Sequence, residues 1–177
     1  IMKRGADTVK KVFLELGGKS AHIILDDADI NFAAFMCISV CFNAGQGCAL
    51  ATRLLAPRSH YEKIVEVAKN TFDSVKLGDP LSREQFMGPL VNKRQQQRVL
   101  QYIEQGKAEG ARLVCGGVVP AGLEQGCYVA PTIFADVRND MTIAQEEIFG
   151  PVLCIIPYDT EEEAIQIAND SIYGLSG

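Results

Sequence analysis

The stretch "AHIILDDADINFAAFMCISVCFNAG", residues 21 to 45, changes its periodicity in the middle. Ala21 to Leu25 is a short apolar run of the kind that suits a buried strand. Asp26, Asp27 and Asp29 then offer side-chain oxygens that can accept from the free N–H groups of a helix start. Beyond them Ile30, Ala33, Ala34, Cys37, Ile38 and Cys41 recur at helical spacing up to Gly45, which predicts a buried helix. A strand feeding a helix is the repeating unit of an α/β sheet.

The rest of the chain repeats that unit. Upstream, Val12 to Leu16 is apolar and set off by Gly17 and Gly18, so another strand is expected there. Downstream, Arg53 to Ala56 predicts a strand closed by Pro57, and Tyr61 to Phe72 a helix burying Ile64, Val65, Ala68 and Phe72. Lys76 to Gly88 is broken by Gly78, Pro80 and Gly88, which marks a loop. Asn92 to Gln105 is an amphipathic surface helix with Val99, Leu100 and Ile103 inward, ending at Gly106 or Gly110. Ala111 to Cys115, Tyr128 to Phe134 and Val152 to Ile156 are strand candidates, and Glu161 to Asn169 is a last helix.

Composition narrows the function. The 177 residues carry a net charge of −5 with no basic stripe and no tryptophan, which argues against nucleic acid as a partner. The longest apolar run, Phe32 to Phe42, is far short of the ~20 residues that cross a bilayer, and no signal peptide is legible, so no membrane span and a cytoplasmic setting are expected. The six cysteines contain no C-x-x-C pair; no metal site is spelled out, and most of the thiols should be small buried hydrophobes. The start at Ile1, without an initiator methionine, and the turn-rich ending "YGLSG" lead us to expect a piece of a longer protein.

One cysteine differs from the others. In "FNAGQGCALATR", residues 42 to 53, Gly45 and Gly47 let the backbone approach a bound molecule, Gln46 adds a polar group, and Cys48 becomes a candidate nucleophile. The negative end of a preceding helix disfavours a thiolate, so activation must come from N–H groups of the turn or from a nearby base. His22, in a predicted strand, and His60, beside a surface helix, read as structural or solvated histidines. Glu15, between Leu14 and Leu16, fits a general base in apolar surroundings and equally a strand glutamate facing solvent.

The motifs then carry a resemblance. "LELGGKSA" at 14 to 21 and "FNAGQGC" at 42 to 48, with Glu15 and Cys48 33 residues apart, resemble the two active-site signatures of the NAD(P)-dependent aldehyde dehydrogenase superfamily. "QEEIFGPVL" at 145 to 153 is similar to its cofactor-side motif, and "GPLV" at 88 to 91, "APTIF" at 130 to 134 and "NDSIYGL" at 169 to 175 extend the likeness over the chain. Cys41 departs from the family's usual aromatic or aliphatic residue and should be a packing change.

The resemblance implies an α/β fold: an open, mostly parallel sheet with helices on both faces. It implies that residues 1–20 close a coenzyme-binding domain and that residues 21–177 belong to the catalytic domain. Cys48 would attack an aldehyde substrate and Glu15 would activate water on the resulting thioester. Glu147 would accept from the ribose hydroxyls of NAD or NADP beside Phe149, with Gln95 near the same ribose and the Leu16 carbonyl meeting the nicotinamide amide. Glu15 favours hydrolysis to a free acid over transfer to coenzyme A.

"GQGCAL" imitates only half of a G-x-G-x-x-G dinucleotide fingerprint, so the grip on the rest of the cofactor is expected outside the chain, and the isolated fragment should be inactive. The parent is expected to be a homodimer or homotetramer. Two other readings compete: a structural or oligomerising fragment, and a nicotinamide-independent cysteine hydrolase or redox domain.

Overall fold

The computed structural model describes residues 1 to 177. Five strands form one sheet: β1 (Ala21–Ile23), β2 (Arg53–Pro57), β3 (Arg112–Cys115), β4 (Thr132–Ala135) and β5 (Val152–Tyr158). Their order is β1-β2-β5-β4-β3, parallel throughout except for the antiparallel edge strand β3. The helices are α1 (Met2–Ala6), α2 (Ile30–Phe35), α3 (Tyr61–Asp73), α4 (Lys93–Ala108), α5 (Thr142–Gln145) and α6 (Glu161–Asn169). The sheet is the mostly parallel α/β arrangement expected.

Burial explains which strands are central. All five residues of β2 and six of the seven in β5 are buried, which requires that both faces of the sheet be covered. A single core of 37 residues runs from Ala21 to Ala164. Residues before Lys19 add no apolar side chain to it, and α1 buries nothing. On α3 the predicted Ile64, Val65, Ala68 and Phe72 all face inward.

The caps follow the sequence. Asp29 Oδ1 accepts from the N–H groups of Asn31 and Phe32, Asn92 Oδ1 from Gln95, and Thr160 Oγ1 from Glu163. Helix α4 runs past Gly106, whose Cα packs on Ile143 and Phe134, and ends before Gly110 at φ +91°.

Arg53 ties the sheet to α6. Its buried guanidinium donates to the carbonyls of Lys19 and Ala168, each at 2.9 Å, to Ile167 at 2.9 Å and to Asn139 Oδ1 at 3.3 Å. The cation thus sits at the C-terminal end of α6, where carbonyls lack partners and the helix dipole is negative.

Three expected elements are corrected. Val12 to Leu16 is not a strand: no strand lies beside it to take its hydrogen bonds, and Phe13 and Leu16 are exposed. Ile30 to Gly45 is not one buried helix: α2 gives way at Met36 to tighter 3₁₀ turns, and Phe32, Phe35 and Met36 are exposed. The buried side of this segment is Ala34, Cys37, Val40, Cys41 and Ala44. Cys41 is part of the core, consistent with a packing role. The strand expected over Tyr128 to Phe134 begins only at Thr132, after Pro131, and the short helices α1 and α5 had no clear signal.

Candidate active site

Parallel strands in register bring their entry loops to one edge of the sheet. Ala21 lies opposite Arg53, and Arg53 opposite Cys154. The segments leading into β1, β2 and β5 therefore emerge together. They line a cleft of about 390 Å³ with Glu15, Leu16, Gly17, Gln46, Gly47, Cys48, Glu147 and Phe149. This is the N-terminal edge of the three strands, whereas open α/β sheets more often bind ligands beyond the C-terminal ends.

The backbone before Cys48 turns in three left-handed steps: Asn43 at φ 49°, Ala44 at 55° and Gly45 at 74°. A β-carbon on Gly45 would overlap the Gly150 carbonyl, so the Cys48 loop and the loop entering β5 touch backbone to backbone there. Gln46 secures the turn, donating to the Asn43 carbonyl at 2.8 Å and accepting from the Val91 N–H at 2.9 Å. Its amide thus serves the scaffold. Cys48 follows half-buried, with its backbone N–H free of any internal hydrogen bond.

The glycine pair separates Glu15 from the strand. A β-carbon on Gly17 would enter the Glu147 carboxylate, and one on Gly18 would meet the Cys48 carbonyl. Gly18 N–H donates to Glu147 Oε1 at 3.1 Å. Glu15 itself is exposed, as are Leu14 and Leu16, so the apolar surroundings expected for it are absent; it faces the cleft from an irregular segment.

Glu147 and Phe149 lie on the third loop. Phe149 has φ 59°, a left-handed conformation unusual for a bulky residue. Gln95 does not line the cleft: its Nε2 donates to the carbonyls of Ile148 at 3.1 Å and Phe149 at 2.8 Å.

The remaining titratable groups are elsewhere or buried. Neither His22 nor His60 lines the cleft. Cys37 and Cys115 are pushed up to about 12 and about 11, chiefly by burial, and burial also raises Cys154. Such thiols stay protonated and inert. Lys19, next to Gly18, is buried with its Nζ lacking a partner; burial pushes it below its ordinary value, while Cys154 and the carboxylates of Glu147 and Glu146 oppose that shift.

Known proteins of the same build are numerous. The chain is 51% identical over 174 residues to a 3-succinoylsemialdehyde-pyridine dehydrogenase from a Pseudomonas species, covering 97% of this chain and 36% of that protein. It superposes with TM-score 0.92 and 56% identity on a Mycobacterium tuberculosis aldehyde dehydrogenase complexed with NAD+, covering 98% of this chain and 36% of that one. A mutant aldehyde dehydrogenase C from Pseudomonas syringae, in complex with NAD+ and octanal, matches at TM-score 0.94 and 44% identity over 99% of this chain and 37% of its own. The chain thus spans little more than a third of the proteins it resembles. The profile of the aldehyde dehydrogenase family matches residues 1 to 177, and the chain belongs to that family.

Proposed function

We propose that this chain is the catalytic segment of an NAD(P)-dependent aldehyde dehydrogenase that converts an aldehyde to a carboxylic acid. The observation that carries it is the meeting of Cys48, Glu15 and Glu147 in one cleft, built by three strand-entry loops. Residues 1–20 close the coenzyme domain and residues 21–177 are catalytic, in keeping with a core that starts at Ala21.

The Cys48 thiolate adds to the aldehyde carbon, and the free N–H of Cys48 is a donor for the oxyanion that forms. Glu147, Phe149 and Leu16 would hold a nicotinamide cofactor beside Cys48, and when bound it would supply the hydride acceptor that lets the acyl group remain as a thioester on Sγ. Glu15, exposed on the cleft wall, takes a proton from the water that attacks the thioester. The acid departs and the thiolate is restored.

The residues fit the cofactor. Glu147 is held at one oxygen by Gly18 N–H, which leaves the carboxylate fixed for ribose hydroxyls, with Phe149 beside it and the Leu16 carbonyl available to the carboxamide. Gly17 keeps the space next to that carboxylate clear. The remaining grip on NAD or NADP lies in sequence outside the chain, so the 177 residues alone bind it weakly. The longer protein is a cytoplasmic homodimer or homotetramer; no helix here is long and apolar enough to cross a membrane.

The test is Glu15→Gln in the full-length protein. One equivalent of reduced cofactor should form per site, followed by turnover slowed about 10²-fold or more. Unchanged steady-state turnover would remove Glu15 from the mechanism.

A further inference from the structure

Helix α4 presents Gln95, Arg98 and Tyr102, three and four residues apart, as one stripe toward the loop that enters β5. Gln95 Nε2 donates to the carbonyls of Ile148 and Phe149. Arg98 donates to the Glu147 carbonyl at 3.0 Å and to the Tyr102 hydroxyl at 2.9 Å. Its guanidinium carbon lies 4.8 Å from the centre of the Tyr102 ring. The Tyr102 hydroxyl in turn donates to Glu146 Oε2 at 2.6 Å. Three successive carbonyls, of residues 147 to 149, are therefore turned to α4, and the carboxylate preceding them is tied to the same helix.

The helix is a rigid anchor. Asn92 caps its start, Gln96 is buried and donates to the Tyr128 carbonyl at 2.7 Å, and Val99 and Ile103 are fully buried. The loop needs such an anchor. A left-handed Phe149 costs about 1–3 kcal/mol and persists only where its surroundings determine it. From the other side, Gly18 N–H holds the Glu147 carboxylate. The loop is thus gripped at its backbone by α4 and at its functional side chain by the loop entering β1.

We propose that Arg98 and Tyr102 are positioning residues for the ribose-binding carboxylate, fixing the Glu146–Phe149 backbone so that Glu147 points into the cleft. This rests on Glu147 being the ribose partner. Burial, then the hydrogen bond to Glu146, pushes the Tyr102 phenol up to about 12, so it remains a donor at neutral pH. In the sequence the pair reads as ordinary solvated helix surface.

Two variants test it, Arg98→Met and Tyr102→Phe, the second removing one oxygen from an incompletely buried side chain. In the 177-residue chain, exchange of the Gly18 amide reports where the Glu147 carboxylate sits, and the Ile24 amide, bonded to Leu55, serves as reference. Each variant should speed Gly18 exchange about fivefold relative to Ile24, the worth of one hydrogen bond. A general loss of stability would move both amides together.

In the full-length enzyme the KM for the nicotinamide cofactor should rise about tenfold. Cys48-dependent hydrolysis of an activated aryl ester, which needs no cofactor, should stay within about twofold of the parent. An unchanged Gly18-to-Ile24 ratio, or an unchanged cofactor KM, in both variants would overturn the proposal. Ester hydrolysis that survives Cys48→Ala would instead remove the proposed function.

Discussion

The carbonyl of Cys48 packs against the α-carbon of Gly18 so closely that a β-carbon at position 18 would overlap it. The loop bearing Cys48 and the loop bearing Glu15 are thus pressed together at backbone level, and their separation is fixed by the absence of a side chain. Gly18→Ala should cost about 1–3 kcal/mol, because the obstacle is backbone and cannot swing away. Gly174, with nothing within 4 Å, is the control, and its alanine variant should unfold at nearly the parental urea concentration. Equal midpoints for Gly18→Ala and the parent would contradict the packing.

Arg53 should be the most sensitive polar residue of the core. Arg53→Met keeps bulk but leaves the carbonyls of Lys19, Ile167 and Ala168 without their donor. Each orphaned acceptor costs about 1–3 kcal/mol, so the loss should reach at least about 3 kcal/mol in urea unfolding. Arg53→Lys, which restores a charge and some donors, should fall between. A change for Arg53→Met below about 0.5 kcal/mol, typical of surface positions, would show that these carbonyls find other partners.

Alkaline pH should destabilise the fold through its thiols. Burial raises Cys37 to about 12 and Cys115 to about 11, and it raises Cys41 and Cys154 as well, from an ordinary value of 9.0. Above that ordinary value the unfolded chain releases these protons while the folded chain keeps them, so stability falls as pH rises. Below it their contribution is constant. Lys19 works in reverse: its folded value lies below 10.5, so between the two the unfolded chain holds the extra proton and stability rises with pH. One lysine opposes four thiols. The Tm should fall above about pH 9, with ~1.4 kcal/mol per pH unit from each fully buried thiol. A Tm that climbs from about pH 9 to 10 would reverse the balance.

Much of this was legible in the residues, and the exceptions have physical causes. The buried runs at Arg53 and Val152, and the spacing of Ile64, Val65, Ala68 and Phe72, specify their elements through the hydrophobic pattern alone. Val12 to Leu16 has a strand's composition but no neighbour, and pairing is a property of the fold rather than of the segment. The helix expected through Gly45 tightens to 3₁₀ turns after Phe35 and turns left-handed at Asn43 and Ala44, where Gly45 passes against Gly150, more than a hundred residues away in sequence.

The site shows the same division. Cys48 and Glu15 stand out by motif, yet what brings them to one cleft is the parallel register of β1, β2 and β5. Gln46 looked like a polar group for the site and instead spends its amide on Asn43 and Val91. Arg98 and Tyr102 carry no motif; the signal that could have found them is their helical spacing from Gln95 on a face otherwise taken for solvent.

Mass spectrometry of the full-length protein, quenched during turnover of an aldehyde with NAD, bears on the acyl-transfer chemistry at its root. The acyl mass should appear on the peptide containing Cys48 and accumulate in Glu15→Gln. Acyl groups carried by Cys115, Cys127 or Cys154, or none on any cysteine while reduced cofactor forms, would contradict a covalent role for Cys48.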